Sequence, residues 1–212
     1  MKLFTIVLAA LAPCMAQQAA QALSSVEKIR NDKVHVTEDT LAPGESEAEP
    51  VLNPCVFVFM TSGSTQVSST GAAPRREDVT EGETTFHAAG PATLLNTGTS
   101  PLRVAVIRFL TPGQEITWGT VGLAPHSTLL LENRFARAYD IKIPSQYKEP
   151  QHTHHDRVVI ALSGATLEHI LPDGRVQPST LKTGEIVWRL GGTHVGHNMG
   201  STDLWVIAVE PK

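Results

Sequence analysis

The chain contains itself twice, and that constrains its fold more than any other feature. Shifting the sequence by 101 positions sets Pro43 on Pro144 and the run Val56 to Gly63 on Arg157 to Gly164. After one inserted residue, Gly82-Glu83 falls on Gly184-Glu185, Phe86 on Trp188, Gly90 on Gly192, Asn96 on Asn198 and Gly98 on Gly200. Glycine at matching places means matching backbone demands, because glycine enters left-handed or crowded turns at little steric cost. Self-similarity at a fixed offset reads as duplicated architecture. The halves run over about 30–112 and 127–212, joined by Thr111 to His126, which is rich in Pro, Gly and Thr.

Both halves read as strand. Short β-branched runs recur at Lys33 to Val36, Val56 to Met60, Leu102 to Leu110, Ala136 to Ile143, Arg157 to Leu162, Glu185 to Arg189 and Leu204 to Val209. Turn clusters such as Ala42-Pro43-Gly44, Pro172-Asp173-Gly174 and Gly191-Gly192 separate them. Many short strands with turns between them indicate an all-β sandwich or closed barrel. Only Ser25 to Lys33 has the charge and length for a short helix, and one is expected there. A chain of 212 residues buries a sizeable core without cross-links. Its formal charge of −4 leaves no basic excess to hold a phosphate backbone, which argues against nucleic acid as a partner.

Residues 1–22 read as a signal peptide: basic Lys2, an apolar run from Leu3 to Ala12, then Pro13 and small residues. Cleavage fits after Ala16 or after Ala22, the second preferred. The apolar run falls short of the roughly 20 residues a membrane-spanning helix needs, so no transmembrane segment is expected after cleavage. The mature chain is expected in a secreted or periplasmic location. Cys14 leaves with the leader, so no intrachain disulfide can form, and Cys55, opening the run to Met60, reads as a buried strand thiol.

Nine histidines are the chemical oddity of the composition. The stretch from Gln151-His152-Thr153-His154-His155 to Gly164, followed by Gly184-Glu185 through Gly192-Thr193-His194 to Asn198, resembles the two cupin motifs. In that family the first motif runs His-x-His, a few residues, Glu, six residues, Gly; the second opens on Gly, passes a Pro-x-Gly turn and closes on His, three residues and Asn. Here Leu190 stands where Pro is usual and the turn is one residue shorter. Through the repeat the resemblance extends to both halves, implying two tandem cupin-like jelly-roll barrels, an architecture that manages sheet edges. It also implies the metal-dependent oxygenase or isomerase chemistry of cupin enzymes.

The ligand chemistry can be argued from the residues themselves. Alternate side chains on a strand share a face, so His152, His154 and Asp156 point together while His155 points away. His194 opens another strand some forty residues on, as a third ligand arriving from across a barrel would. Imidazoles suit one divalent transition metal (Fe, Mn, Zn, Cu or Ni), and three of them leave coordination positions open. The carboxylate slot departs from the family: counted back from Gly164 it falls on Arg157, and counted forward from His154 on Val158 or Val159. Asp156 either completes the set or faces solvent and pairs with Arg157. His197 is out of phase with His194, while Asn198 shares its face and is placed to fix the local turn. Trp188 and Trp205 read as core, and His35, His87, His126 and His169 have no evident partners.

The repeat sets Val51, Asn53 and Ala92 opposite His152, His154 and His194, and none is a useful transition-metal ligand. The first half is therefore expected to bind no metal and to serve packing, capping or a homodimer contact. Two classes of function remain open: a metal-dependent enzyme on a small organic molecule, and a non-enzymatic protein that binds a metal or small ligand.

Overall fold

The computed structural model describes residues 24–46, 53–69, 73–90, 92–115 and 125–212. The leader-like segment, Cys14 and Val51 lie outside the described residues. All regular structure among the described residues is strand, so no helix there is long and apolar enough to cross a membrane.

The strands form four open sheets. The first has the order β1 (Ser24–Arg30), β2 (Val34–Leu41), β8 (Leu102–Phe109), β3 (Cys55–Phe59), β6 (Thr84–His87). A three-stranded sheet of β5 (Arg75–Val79), β4 (Gly63–Ser69) and β7 (Ala92–Asn96) covers one of its faces. The second half repeats the plan with a five-stranded sheet of β15 (Ile186–Arg189), β12 (Arg157–Ser163), β17 (Leu204–Pro211), β10 (Ala136–Ile143) and β9 (Ser127–Glu132). Its cover has four strands, β11 (His152–His154), β16 (Gly192–Asn198), β13 (Ala165–Ile170) and β14 (Val176–Leu181). The His-x-His strand β11 has no counterpart among the described residues of the first half.

The two five-stranded sheets pack back to back, which explains why their central strands are apolar runs rather than alternating ones. On β3, Val56 and Val58 face the other half while Cys55, Phe57 and Phe59 face the small sheet of their own half. On β12, Val158 and Ile160 face the first half, while Val159 and Ala161 face inward to the second small sheet. Eight buried side chains from each half make the shared core. Burying a Val, Leu or Ile contributes about 1.5–3 kcal/mol, so this seam ties the halves into one folding unit. Gly82 belongs to the seam: its φ is +83°, and a Cβ there would meet the Trp205 ring at 2.7 Å. Trp205 and Trp188 lie half-buried against the seam, and Trp205 Nε1 donates to Asp140 Oδ1 at 2.7 Å.

The duplication is visible at atomic detail. Asn96 Nδ2 donates to the carbonyls of Leu41 and Ser100, and its Oδ1 accepts from Gly98 N. Asn198 makes the same three bonds with Ile143, Thr202 and Gly200. Asn198 does fix the turn after β16.

One expectation is overturned. Ser25 to Lys33 is not a helix; most of it is the edge strand β1, antiparallel to β2 with an irregularity between Glu27 and Ile29. Its charges mimic a solvated helix face because an edge strand exposes nearly every side chain. Pairing is stabilised instead by cross-strand contacts, Ser25 Oγ to Asp39 and Lys28 to Glu38.

Candidate metal centre

Three of the nine imidazoles converge because of strand pairing. β11 runs antiparallel to β16 with His152 opposite His194, Thr153 opposite Thr193 and His154 opposite Gly192. Alternation puts His152 and His154 on one face with His194, while the two Thr hydroxyls meet at 2.7 Å on the other. His152 Nε2 and His154 Nε2 lie 3.0 Å apart. One ring nitrogen from each of His152, His154 and His194 lies within 4.8 Å of the other two.

These donors fit a metal. His152 Nδ1 sits 2.8 Å from the Pro150 carbonyl oxygen, which can only accept; the proton is therefore on Nδ1, and Nε2 carries the lone pair. His154 turns Nδ1 toward Glu210 Oε1, 3.7 Å away, and Nε2 toward His152. Burial pulls the His154 imidazole down to about 4, partly opposed by Glu210. Burial and the charges of His169, His152, His154 and Arg157 pull His194 down to about 3. Neutral rings with converging lone pairs are what a divalent ion requires.

The structure places Asp156 elsewhere. Its Oδ1 accepts from Gly191 N at 2.8 Å and its Oδ2 pairs with Lys33 Nζ of the first half at 3.1 Å. The Gly191 bond, then Lys33, hold its carboxyl below the usual range. The alternation that links Asp156 to the histidines fails because β11 ends at His154 and β12 starts at Arg157; two residues outside the strands reset the phase. Arg157 is not its partner. His155 lies outside the cluster, its backbone N–H donating to Glu210 Oε1.

Two residues beside the cluster escaped the sequence reading. Glu149 is 5% exposed and its Oε2 stands 3.9 Å from His152 Nε2. Burial pushes its carboxyl up to about 7, against the opposing pull of Arg157. Among the described residues its buried Oε1 has no hydrogen-bond partner. Gly196 makes room for it, since a Cβ there would collide with Glu149 Oε2, and Glu149 N donates to Gly196 O at 2.8 Å. The sequence signal was slight: an acid three residues before His152. His169, on β13, packs edge-on against His194 with ring centroids 4.8 Å apart. Of the other histidines, His197 is half-buried with Nδ1 3.9 Å from Glu168, His35 meets Glu27, His87 packs at a tilt against Phe57, and His126 meets Tyr147 edge-on.

The cluster stands between two cavities. An inner chamber of about 70 Å³ is walled by Ile141, Val159, Leu167, Leu181 and Val206, with Glu149, His154 and Arg157 at its polar side. An outer cleft of about 450 Å³ is bordered by His194, Trp188 and Thr193. Arg157, His169, Ser179 and Arg189 line both.

No protein-family model and no curated protein matches the sequence. Solved structures do. AerE from Microcystis aeruginosa superposes with a TM-score of 0.64 at 13% identity, over 90% of this chain and 97% of that one. The cupin 2 conserved barrel domain protein from Leptotrichia buccalis gives 0.60 at 13% identity, over 92% and 91%. A Bacillus subtilis oxalate decarboxylase described for its Mn(II) centres gives 0.61 at 11% identity, over 91% and 76%. At such identities a likeness speaks for architecture, and it agrees with the motifs read from the sequence: this chain has the cupin fold.

Proposed function

We propose that this is an exported protein of two tandem jelly-roll units, whose second unit binds one divalent transition metal and acts with it on a small organic molecule. The observation that carries the reading is the convergence of His152, His154 and His194, each imidazole lowered by burial, at the edge of a cavity. A bound divalent ion supplies Lewis acidity or electron transfer at its open positions. The chain's own residues do the rest. The Pro150 carbonyl fixes the ring of His152, and Glu210 stands behind His154. Glu149 offers a carboxyl that can take or release a proton near neutral pH beside the cluster, as a general acid or base must. The apolar chamber walls exclude water from whatever part of the substrate enters. Oxygenase and isomerase are the reaction classes this arrangement suits. The Mn(II) centres named for the Bacillus subtilis enzyme make manganese the first ion to test among Fe, Mn, Zn, Cu and Ni.

The test is elemental analysis of the protein purified without chelators. About one transition-metal ion per chain is expected, lost in His152→Ala and in His194→Ala because two imidazoles hold an ion too weakly. Substitution of Asn53, the first-half counterpart of His154, leaves the content unchanged, and His155→Ala nearly so. A metal-free wild type overturns the reading. Metal bound tightly without turnover of any small molecule returns the function to the non-enzymatic binding protein. Protein recovered outside the cell should begin after Ala16 or Ala22; an intact Met1 there would contradict export by cleavage.

A further inference from the structure

The second half sets two like charges side by side, one buried and one half-buried. Arg157 on β12 is directly opposite Arg189 on β15. Both point inward, because Val159 and Val187, two positions away on the same strands, face the inner cluster. Like charges at directly opposed positions repel. Arg157 is only 8% exposed, and its one hydrogen bond among the described residues is Nη1 to the His155 carbonyl at 3.3 Å. Among the described residues Arg189 spends a single donor, Nη2 to Ser179 Oγ at 3.1 Å. Neither forms an ion pair among the described residues, although Glu149 lines the same chamber. Burial pulls the Arg157 guanidinium down to about 10, against the support of Glu210. A buried guanidinium with most of its donors unspent is a costly arrangement unless an anion completes it.

We propose that Arg157 and Arg189 form a clamp for the carboxylate of a small aliphatic acid, whose short apolar tail lies in the inner chamber beside the histidine centre. The guanidinium fork matches a carboxylate through two parallel hydrogen bonds, and a second guanidinium opposite it takes the remaining lone pairs. The Ser179 hydroxyl, already held by Arg189, lies on the same wall. The chamber's 70 Å³ is room for roughly five water-sized groups, which sets the acid at a few carbons. This deepens the proposed function by naming its substrate class, and it rests on that reading only for the chemistry that follows binding.

The experiment titrates isobutyrate and its neutral isostere isobutyramide into the full mature chain, calorimetrically, in metal-free and zinc-loaded forms. Isobutyrate should bind in both forms, and isobutyramide at least about ten-fold more weakly. Arg157→Met and Arg189→Met should each weaken isobutyrate by about ten-fold or more, with zinc content unchanged; Arg157→Lys should recover part of the loss. The half-buried Arg189 variant guards against a folding defect in Arg157→Met, and melting temperature reports any such defect. Equal binding of acid and amide, absence of acid binding, or acid binding that appears only with zinc and survives both Met variants would each overturn the clamp. A protein that binds isobutyrate through the arginines yet holds no metal keeps the clamp and overturns the metal reading; one that holds metal and ignores the acid does the reverse.

Discussion

Replacing Asn198 by Ala tests whether the duplicated turn holds the fold and, through it, the centre. The side chain is fully buried. Its Nδ2 donates to the Ile143 carbonyl at 3.1 Å and the Thr202 carbonyl at 2.9 Å, and its Oδ1 accepts from Gly200 N at 3.0 Å. Ala strands all three partners. The Ile143 carbonyl lies in the buried strand β10 and carries the desolvation penalty of about 1–3 kcal/mol. The Thr202 and Gly200 groups sit nearer the surface, can recruit water, and lose about 0.5–1 kcal/mol each. The sum is about 3 kcal/mol, which for a chain of this size lowers Tm by roughly 6–12 °C. Asn96→Ala removes the same three bonds from the first half and should cost about as much, since the shared core makes unfolding one transition. Only Asn198→Ala should also weaken metal binding, because Asn198 closes the strand that carries His194. Calorimetric melting and urea unfolding of both variants, followed by metal titration, supply the numbers. A loss below about 1 kcal/mol in either variant would refute the reasoning that these amides hold the turns.

Glu149→Gln should change how stability depends on pH in the metal-free protein. The folded carboxyl is raised from 4.5 to about 7, so the folded state binds its proton more tightly; that stabilisation is complete below pH 4.5, is lost as pH rises through 7, and is absent from the Gln variant. The stability of wild type minus variant should therefore fall across this window and level off above it, and parallel urea-unfolding profiles would contradict the burial of Glu149. Gly164→Ala should destabilise by about 2–4 kcal/mol, because its Cβ would collide with backbone at Leu181 and Thr183, which cannot retreat as a side chain could. A near-normal melting temperature for that variant would show that the turn before β13 can shift.

Much of the architecture was legible along the chain because its signals are local. The run Ala136 to Ile143 is strand β10 with those bounds, and Arg157 to Leu162 falls one residue short of β12; the apolar run of β12 reports a strand buried on both faces, while β10 interleaves its buried residues with Arg137, Asp140 and Lys142. The matched Asn and Gly positions announced the duplication, since each answers a backbone demand of its own turn. His152 and His154 could be placed on one face because alternation within a strand is a period of two; His194, on another strand, was legible only through the spacing of the cupin-like motifs. Thin polar strands such as β4, β5 and β14 carry no such signal, and β1 imitated a helix. The carboxylates were decided only by the tertiary structure. Asp156 is two residues from His154, yet a break between strands turns it to Lys33, whereas Glu149 reaches His152 because Gly196, far along the chain, leaves space for its carboxyl. His169 meets His194, and Arg157 meets Arg189, through pairings between strands that no local pattern encodes. Alternation is a property of one strand and can be read from its residues; which faces meet, and which charges are thereby buried, depends on the register between strands, and that is settled only when the whole core packs.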